Sequence, residues 1–336
     1  MHLRHHVVCP TIVGRDAQVA ATRHLLEHAC DGAGGVALIV GEAGVGKSRL
    51  LRAMTGDARS LGFFALHGAA FEAERSIPYA PLLDLVRLLG GSVSPSLVAH
   101  ILEPAAAELV AVFPELRPLL PDATPCATVD PDSDRRRLFH ALAQAVGLLA
   151  RTQPVFLAFE DVHWADDATL DLIFHLARSH ASQRVAMALT YRREEVTPRL
   201  GRLIADLGRA QLATEVALDR LDRREVDDML SAIFGERATL GDDFAALLHG
   251  LTDGNPFFVE ETLKALIIAG DLAPTDDGGW RARPLERVRV PRTAVEAVRR
   301  RLAALTVPAR AVASTTTVRR TARRGCSRNI WRSWPS

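Results

Sequence analysis

The sequence predicts an α/β fold, in which helices flank a parallel five-stranded sheet and a helical lid domain follows the sheet. Five short apolar runs bounded by turn residues indicate buried strands. Amphipathic segments with helical spacing separate the first three of these runs, a pattern typical of strand–helix–strand units whose strands are parallel. After Leu218 the apolar runs stop and helical spacing continues, which predicts the lid.

Each element is predicted from its own local pattern. Residues 1–10 indicate a loose tail, and residues 17–29 an amphipathic helix. The strands are expected at residues 36–40, 63–67, 154–159, 184–190 and 214–218. Helices are expected directly after the first strand and at 79–89, 95–113, 133–150, 224–234, 242–249 and 257–269. Residues 278–291 indicate either a short hairpin or an extended linker, and 293–305 a basic amphipathic helix.

The acidic cluster at residues 130–134 precedes one of these helices. Asp130 and its neighbours are expected to cap the helix start, where acids favour the positive end of the helix dipole. We therefore do not assign them to a metal site.

One stretch between the first strand and its helix fits the phosphate-binding pattern G-x-x-x-x-G-K-[ST] without a mismatch. Its residues are Gly41, Glu42, Ala43, Gly44, Val45, Gly46, Lys47 and Ser48, and Arg49 follows directly. The glycines let backbone N–H groups converge on phosphates, and the following helix points its positive end at them. We expect Lys47 to reach the β- and γ-phosphates and Ser48 to complete a Mg²⁺ shell.

The arginine bias of the chain strengthens this assignment. Lys47 and Lys264 are its two lysines among 41 basic residues. A compact ammonium at position 47 meets a need that a planar guanidinium does not. A chance match to the pattern has odds on the order of one in a thousand, so a glycine-rich turn without a ligand is the weaker reading. The sequence therefore predicts a P-loop NTPase fold, with ATP and Mg²⁺ as cofactors.

Two adjacent carboxylates, Glu160 and Asp161, end the predicted strand at 154–159. Beside a P-loop, this is the Walker B arrangement. One acid is expected to hold Mg²⁺ and the other to polarise the attacking water. Position along the strand favours Glu160 for the metal and Asp161 for the water. With Lys47, these are the predicted catalytic residues.

Arg192 follows the strand at 184–190, at the carboxyl edge where open α/β sheets bind ligands. We expect its guanidinium to sense the γ-phosphate through charge-assisted hydrogen bonds. A solvated loop of arginines is the alternative.

The bulk composition excludes several classes of protein. The net charge of +1 gives no global basic field for nucleic acid or a membrane surface. Four cysteines lie far apart without a C-x-x-C pair, which fits a reducing cytosol rather than a disulfide framework. We expect no signal peptide and no membrane span, because no apolar run approaches the roughly 18 residues that a span needs.

The last segment changes character, since no acid follows Glu296 and arginines crowd residues 313–336. Either this is a basic tail that binds nucleic acid, or residues from about 312 onward are an out-of-frame end. The second reading is favoured.

Five stretches taken in order resemble a known family. They are Val13-Gly14-Arg15-Asp16, the P-loop with Arg49-Leu50, Glu160-Asp161-Val162-His163-Trp164-Ala165-Asp166, Thr190-Tyr191-Arg192, and Gly254-Asn255-Pro256-Phe257-Phe258-Val259-Glu260-Glu261. The set resembles the STAND class of AAA-related ATPases, and within it the large ATP-binding regulators of the LuxR family. The same module also occurs attached to nucleotide cyclases and kinases.

This resemblance implies roles for single residues. Arg15 belongs to a segment similar to the turn that borders the adenine, Arg192 matches the sensor position, and Pro256 resembles the lid proline that packs on the base. Asp166 matches a family position of uncertain role, and Trp164 is as readily a packing residue. The implied domains are an ATPase core at 11–218, a lid at 219–285 and the start of a winged-helix segment at 286–312.

The resemblance implies an ATP-binding signalling switch in the cytoplasm, with slow hydrolysis of ATP to ADP. Such regulators continue into helical repeats and a DNA-binding domain, so we expect no direct DNA binding from these residues. Self-association and an unidentified inducer or partner protein are the expected macromolecular contacts. The alternatives are an ATPase module of a cyclase- or kinase-linked protein, a P-loop metabolic enzyme, and a truncated product without function.

Overall fold

The computed structural model describes residues 7–92, 94–124, 130–235, 238, 240, 243–275 and 279–282. Its central element is a parallel five-stranded sheet with the order β2-β3-β4-β1-β5. The strands are β1 Gly35–Gly41, β2 Phe64–Ala69, β3 Val155–Glu160, β4 Val185–Tyr191 and β5 Ala213–Leu218. The predicted α/β fold with a five-stranded parallel sheet is confirmed.

Helices cover both faces of this sheet. Those that precede β5 are α1 Asp16–Cys30, α2 Lys47–Ser60, α3 Ala80–Ser92, α4 Pro95–Leu102, α5 Ala106–Val112, α6 Pro131–Thr152, α7 Asp167–Ser179 and α8 Pro198–Arg209. The side chains of each central strand alternate between two apolar clusters. Leu157 and Phe159 of β3 face the larger cluster, and Phe156 and Ala158 face the one beneath α1 and α2. Burial on both faces explains why the strands are continuous apolar runs.

A separate apolar cluster follows the sheet. It is built on α9 Arg223–Phe234, α10 Phe244–Thr252 and α11 Pro256–Ala269. A capping box between Asp222 and Glu225 starts α9, and the Asn255 side chain caps α11. We call these three helices the lid helices, after the lid that the sequence predicts in this part of the chain.

The structure corrects the prediction of a loose tail. Residues 1–6 lie outside the described part, but Val7 and Cys9 are buried in the cluster of the lid helices. The backbone N–H of Cys9 donates to Glu260 of α11 at 3.0 Å. Apolar burial and this partly buried hydrogen bond hold residues 7–9 in place.

The stretch at 95–113 is not one helix. It divides into α4 and α5, with the 3₁₀ turn Glu103–Ala105 between them, because Pro104 lacks a backbone donor. Pro95–Val112, which includes Glu103 and Glu108, has the length and mean hydropathy of a candidate membrane span by composition only. Val98, Ile101, Leu102 and Leu109 of this stretch pack in the larger core cluster.

The hairpin predicted within residues 278–291 forms with a different partner strand. Strand β7 Trp280–Ala282 pairs antiparallel with β6 Leu272–Pro274, which precedes it in the chain. Residues 287–291, the predicted helix at 293–305 and the basic tail at 313–336 lie outside the described residues.

Candidate functional site

The P-loop connects the end of β1 to the start of α2 and contains all eight predicted residues, from Gly41 to Ser48. Gly44 has φ 81° and Gly46 has φ 110°, which side chains rarely adopt. A Cβ on Gly41 would lie 2.6 Å from the Leu218 carbonyl oxygen of the neighbouring strand β5. Local geometry therefore explains why glycine stands at these three positions.

Lys47 begins α2 and is only 6% exposed. Its Nζ donates to the carbonyl oxygens of Gly41 and Glu42, at 2.8 Å each. Burial lowers the pKa of Lys47, and the positive charge of Arg192 adds to this effect. The ammonium thus lies inside the loop, where a phosphate would replace the two carbonyl oxygens as its partner.

Glu160, at the end of β3, contacts the residue that is predicted to share a metal with it. His67 Nε2 lies 3.1 Å from its Oε2, and the Ser48 side chain is close enough to favour the ionised carboxylate. Burial raises the pKa of Glu160, but the hydrogen bonds from His67 and Ser48 outweigh burial, so the pKa lies below its ordinary value. An ionised carboxylate beside a hydroxyl is a suitable pair of oxygen ligands for Mg²⁺.

These oxygens do not make a complete cage. Among the described residues, no group of three or more His, Cys, Asp and Glu side chains could hold a metal ion. Mg²⁺ commonly binds through one or two protein oxygens, phosphate oxygens and water. Ser48 and Glu160 fit that mode, with a nucleotide supplying the phosphates.

Asp161 differs from its neighbour in both backbone and charge. Its φ of 56° lies in the left-handed region, and its N–H donates to the Thr190 hydroxyl at 2.8 Å. Burial, followed by the negative charge of Glu160, raises the pKa of Asp161 to about 6. The two acids therefore have distinct environments, as different roles require.

Arg192 follows β4 on the same side of the sheet. Its NH1 donates to Glu195 Oε1 at 2.5 Å, and its Cζ lies 4.8 Å from the Trp164 ring centroid. Its charge acts on both Lys47 and Asp161. The structure thus brings Arg192, the predicted sensor, beside the predicted catalytic residues. In this arrangement Arg192 is paired with the Glu195 carboxylate.

Arg15, Arg49 and Pro256 line a narrow cleft together with Gly46 and Met229. The cleft lies where the segment before α1, the start of α2 and the lid helices meet. Burial lowers the pKa of Arg15, whose guanidinium donates to the Asp219 and Gly14 carbonyl oxygens. Arg49 donates to the Cys9 carbonyl oxygen and lies 3.7 Å from Glu260. Both arginines hold neighbouring segments in place.

The start of α11 contacts the P-loop directly. Asn255 Nδ2 donates to the Ala43 carbonyl oxygen at 3.0 Å, and the Phe257 N–H donates to Gly44 at 3.3 Å. Arg220 bridges Glu42, at 2.7 Å, and Asp253. Lid helices and phosphate-binding loop are therefore joined by backbone and charged contacts.

Several of these partners were not predicted. His67, Thr190, Glu195 and Asn255 contact the site across the sheet or from the lid. Asp166, whose role was left open, accepts hydrogen bonds from Ala168 and Thr169 at the start of α7 and from the Tyr79 N–H. An acid just before a helical pattern is a readable capping signal, whereas the contact with Tyr79 depends on the tertiary fold.

A groove of about 870 Å³ lies elsewhere among the described residues. It is lined by residues that precede β3 and β4, and so it lies at the amino edge of the sheet. Arg184 donates there to the carbonyl oxygens at the end of α6, and His180 pairs with Gln183. Parallel sheets bind ligands at their carboxyl edge, where the P-loop lies, so we take the P-loop region as the site.

Comparison with known proteins agrees with this geometry. A family model described as an AAA ATPase domain matches residues 11–190. An uncharacterized protein of Rhizobium meliloti is 29% identical over 268 residues, covering 74% of this chain and 24% of the relative. The peroxide stress-activated histidine kinase mak2 of Schizosaccharomyces pombe is 22% identical over 256 residues, covering 68% of this chain and 11% of the kinase. The chain thus spans a quarter or less of these relatives.

Among solved structures, Cdc6p from Pyrobaculum aerophilum has a TM-score of 0.49 at 13% identity, covering 78% of this chain and 65% of that one. A second structure is a Signal Transduction ATPase with Numerous Domains (STAND) protein with a tetratricopeptide repeat sensor, from Pyrococcus horikoshii. Its TM-score is 0.39 at 15% identity, and the match covers 77% of this chain and 31% of that one. The family match covers more than half of the chain and includes the P-loop, both acids and Thr190. The chain belongs to the AAA ATPase domain family, whose fold binds nucleotide, typically with Mg²⁺.

Proposed function

We propose that the chain is an ATP-driven switch, in which Mg-ATP between the sheet edge and the lid helices favours one arrangement of the two and ADP another. Slow hydrolysis resets the state. A ligand shifts such an equilibrium only if it contacts the two arrangements differently. The observation that carries the proposal is the direct contact between the start of α11 and the P-loop.

The contact links lid position to nucleotide through a short path. The carbonyl oxygens of Ala43 and Gly44 accept hydrogen bonds from the start of α11, while the N–H groups of a loop of this kind bind phosphates. A Cβ on Gly44 would lie 2.9 Å from both Asn255 and Phe257, so the loop and lid have little room to move independently. Reorientation of the loop around phosphates must therefore act on the lid.

Each site residue has a proposed role in this cycle. Lys47 and the P-loop N–H groups bind phosphates, and Ser48 and Glu160 hold Mg²⁺, which neutralises charge on the transferred phosphoryl group. Asp161 orients the attacking water. Arg192 exchanges Glu195 for the γ-phosphate, and Pro256 packs on the base beside Arg15 and Arg49.

The wider setting that we propose is a LuxR-type transcriptional regulator in the cytosol, in which this module controls other domains, with self-association as one means of control. The relatives' much greater length supports a role as a module of a larger signalling protein. Similarity to a histidine kinase favours a kinase-linked module as the second candidate. We assign no DNA contact to any residue described.

Nucleotide binding by Lys47→Ala tests the proposal, and Lys264→Ala is its matched control. Lys264 is the other lysine of the chain and pairs with Glu261 on α11 at 2.6 Å. We expect Mg-ATP affinity measured by calorimetry to fall at least about tenfold in Lys47→Ala, because a charge-assisted phosphate contact is lost. Lys264→Ala should bind as wild type does. Equal affinity in the wild type and Lys47→Ala would refute the switch.

A further inference from the structure

His163 lies two residues after the acid pair, in the 3₁₀ turn Val162–Trp164. Its side chain is fully buried, with 0% exposed. Neither ring nitrogen makes a hydrogen bond within the described part of the chain. A buried polar group without a partner destabilises the folded state, so an apolar ring would pack here at lower cost. This cost indicates a role for the imidazole beyond packing.

Two carboxylates flank the ring on opposite sides. Nε2 lies 3.4 Å from Glu195 Oε2, and Nδ1 lies 4.0 Å from Asp161 Oδ1. Burial, followed by the charges of Arg192, Lys47 and Arg75, lowers the pKa of His163 to about 3. The ring is therefore neutral and carries one N–H, so it can donate to only one of the two carboxylates at a time.

Arg192 binds one of the two carboxylates that flank His163. It holds Oε1 of Glu195 at 2.5 Å, while the other oxygen of that carboxylate faces His163. The guanidinium also covers the Trp164 ring, whose centroid lies 4.4 Å from that of the His163 ring. Arg192, Glu195, His163 and Asp161 thus form one continuous row, held in place by Trp164.

We propose that His163 is a positioning residue that couples the Arg192–Glu195 ion pair to Asp161; the inference rests on the proposed function. When Arg192 turns to the γ-phosphate, Glu195 loses its cation and accepts the Nε2–H of His163. This hydrogen bond fixes the ring with the Nδ1 lone pair toward Asp161. Lone pair and carboxylate repel, so the carboxylate turns toward the attacking water. Phosphate sensing and orientation of the catalytic acid become one event.

Nuclear magnetic resonance of the imidazole nitrogens tests the coupling without turnover. Among the 12 histidines of the full chain, the His163 signals are the ones missing from the His163→Phe spectrum. We expect a non-hydrolysable Mg-ATP analogue to move the Nε2–H proton downfield and slow its exchange with water. A bound analogue that leaves these signals unchanged would overturn this inference alone. Loss of Lys47-dependent binding would overturn the proposed function as well.

A double-mutant cycle gives the second readout. His163→Phe keeps a ring against Trp164, and Glu195→Ala removes the acceptor. Each change should lower kcat for ATP about tenfold with little change in ATP affinity, and the double variant should fall no further. Multiplied effects, about hundredfold in the double variant, would contradict the coupling.

His180→Phe is the control for the loss of a buried imidazole. His180 is 3% exposed and its Nε2 is also unpartnered among the described residues, but it lines the groove at the amino edge of the sheet. We expect its kcat to stay within about twofold of wild type, because it lies at the opposite edge of the sheet from the P-loop. A loss equal to that of His163→Phe would reduce the role of His163 to packing.

Discussion

Asp161 owes its chemistry to the surroundings of a single residue. Thr190, which is fully buried, holds its backbone in the left-handed conformation, and Glu160 supplies the adjacent negative charge. A carboxyl whose pKa is raised toward neutrality can exchange a proton near physiological pH, which suits an acid that polarises water.

The raised pKa of Asp161 predicts a pH-dependent stability. It is about 6 in the folded protein against 3.8 ordinarily, so between these values the folded state binds the proton more tightly. The bound proton stabilises the folded state at low pH. As the pH rises from about 4 through about 6, this contribution is lost and the free energy of unfolding falls by roughly 2–3 kcal/mol. Asn tolerates the left-handed backbone but cannot ionise. Denaturant unfolding should show this pH-dependent loss of stability in the wild type and not in Asp161→Asn. Identical pH profiles for the two proteins would contradict the raised pKa of Asp161.

Gly46 and Gly56 offer a matched pair within one segment. Gly46 has φ 110°, where a side chain is strained, whereas Gly56 lies inside α2 with nothing within 4 Å of an added Cβ. Gly46→Ala should destabilise by about 1–3 kcal/mol and weaken nucleotide binding. Gly56→Ala should stabilise by about 0.5–1 kcal/mol through helix propensity. Chemical denaturation of both variants measures the change in the free energy of unfolding. If both changes have the same sign, backbone strain is not the reason for glycine at position 46.

The sequence identifies residues of the site that form contiguous motifs, and misses those that join it through the fold. The P-loop and the acid pair are read directly, because spacing fixes their neighbours. His67 meets Glu160 across 93 residues, and Thr190 meets Asp161 across 29. Strand order creates these contacts, and no local pattern encodes them.

At the scale of elements, one capped helix connects the acid turn to the rest of the domain. Asp166 accepts hydrogen bonds at 2.9 and 3.0 Å from the start of α7, and at 3.0 Å from the Tyr79 N–H before α3. It therefore fixes the turn that carries His163 to a loop from another part of the sheet.

Replacement of Asp166 should cost more than replacement of an ordinary cap. We expect Asp166→Ala to destabilise by about 2–3 kcal/mol, since a cap and a buried N–H lose their partner together. Thr197→Ala, which removes the single cap bond of α8 to the Leu200 N–H, should cost about 1 kcal/mol. Urea unfolding of both variants gives the comparison. A cost for Asp166→Ala no greater than that for Thr197→Ala would show that Tyr79 contributes nothing.

Secondary-structure elements were predicted best where a continuous apolar run is bounded by turn residues at both ends. All five strands of the main sheet lie within two residues of their expected positions, because runs buried on both faces are unambiguous. The long helix at 95–113 was wrong, because Pro104 outweighs the apolar spacing. Helices α7 and α8 were not predicted, although Asp166 and the Thr197-Pro198 pair are readable start signals.

For the whole molecule, the lid helices and the sheet meet at the P-loop and at the segment before α1. Val7 and Cys9 pack with the lid helices, while Arg49 of α2 binds the Cys9 carbonyl oxygen. The N-terminal segment therefore connects the lid with the P-loop helix. The lid helices thus contact the P-loop through Asn255, and the P-loop helix through the N-terminal segment that Arg49 binds.

Hydrogen exchange at the start of α11 tests the switch most directly. The N–H of Phe257 is bound to the P-loop and to the Asn255 side chain, so its exchange reports the lid contact. We predict different protection with Mg-ATP than with ADP in wild type, and no nucleotide effect in Lys47→Ala. Equal protection with both nucleotides, although both bind, would contradict an ATP-driven lid.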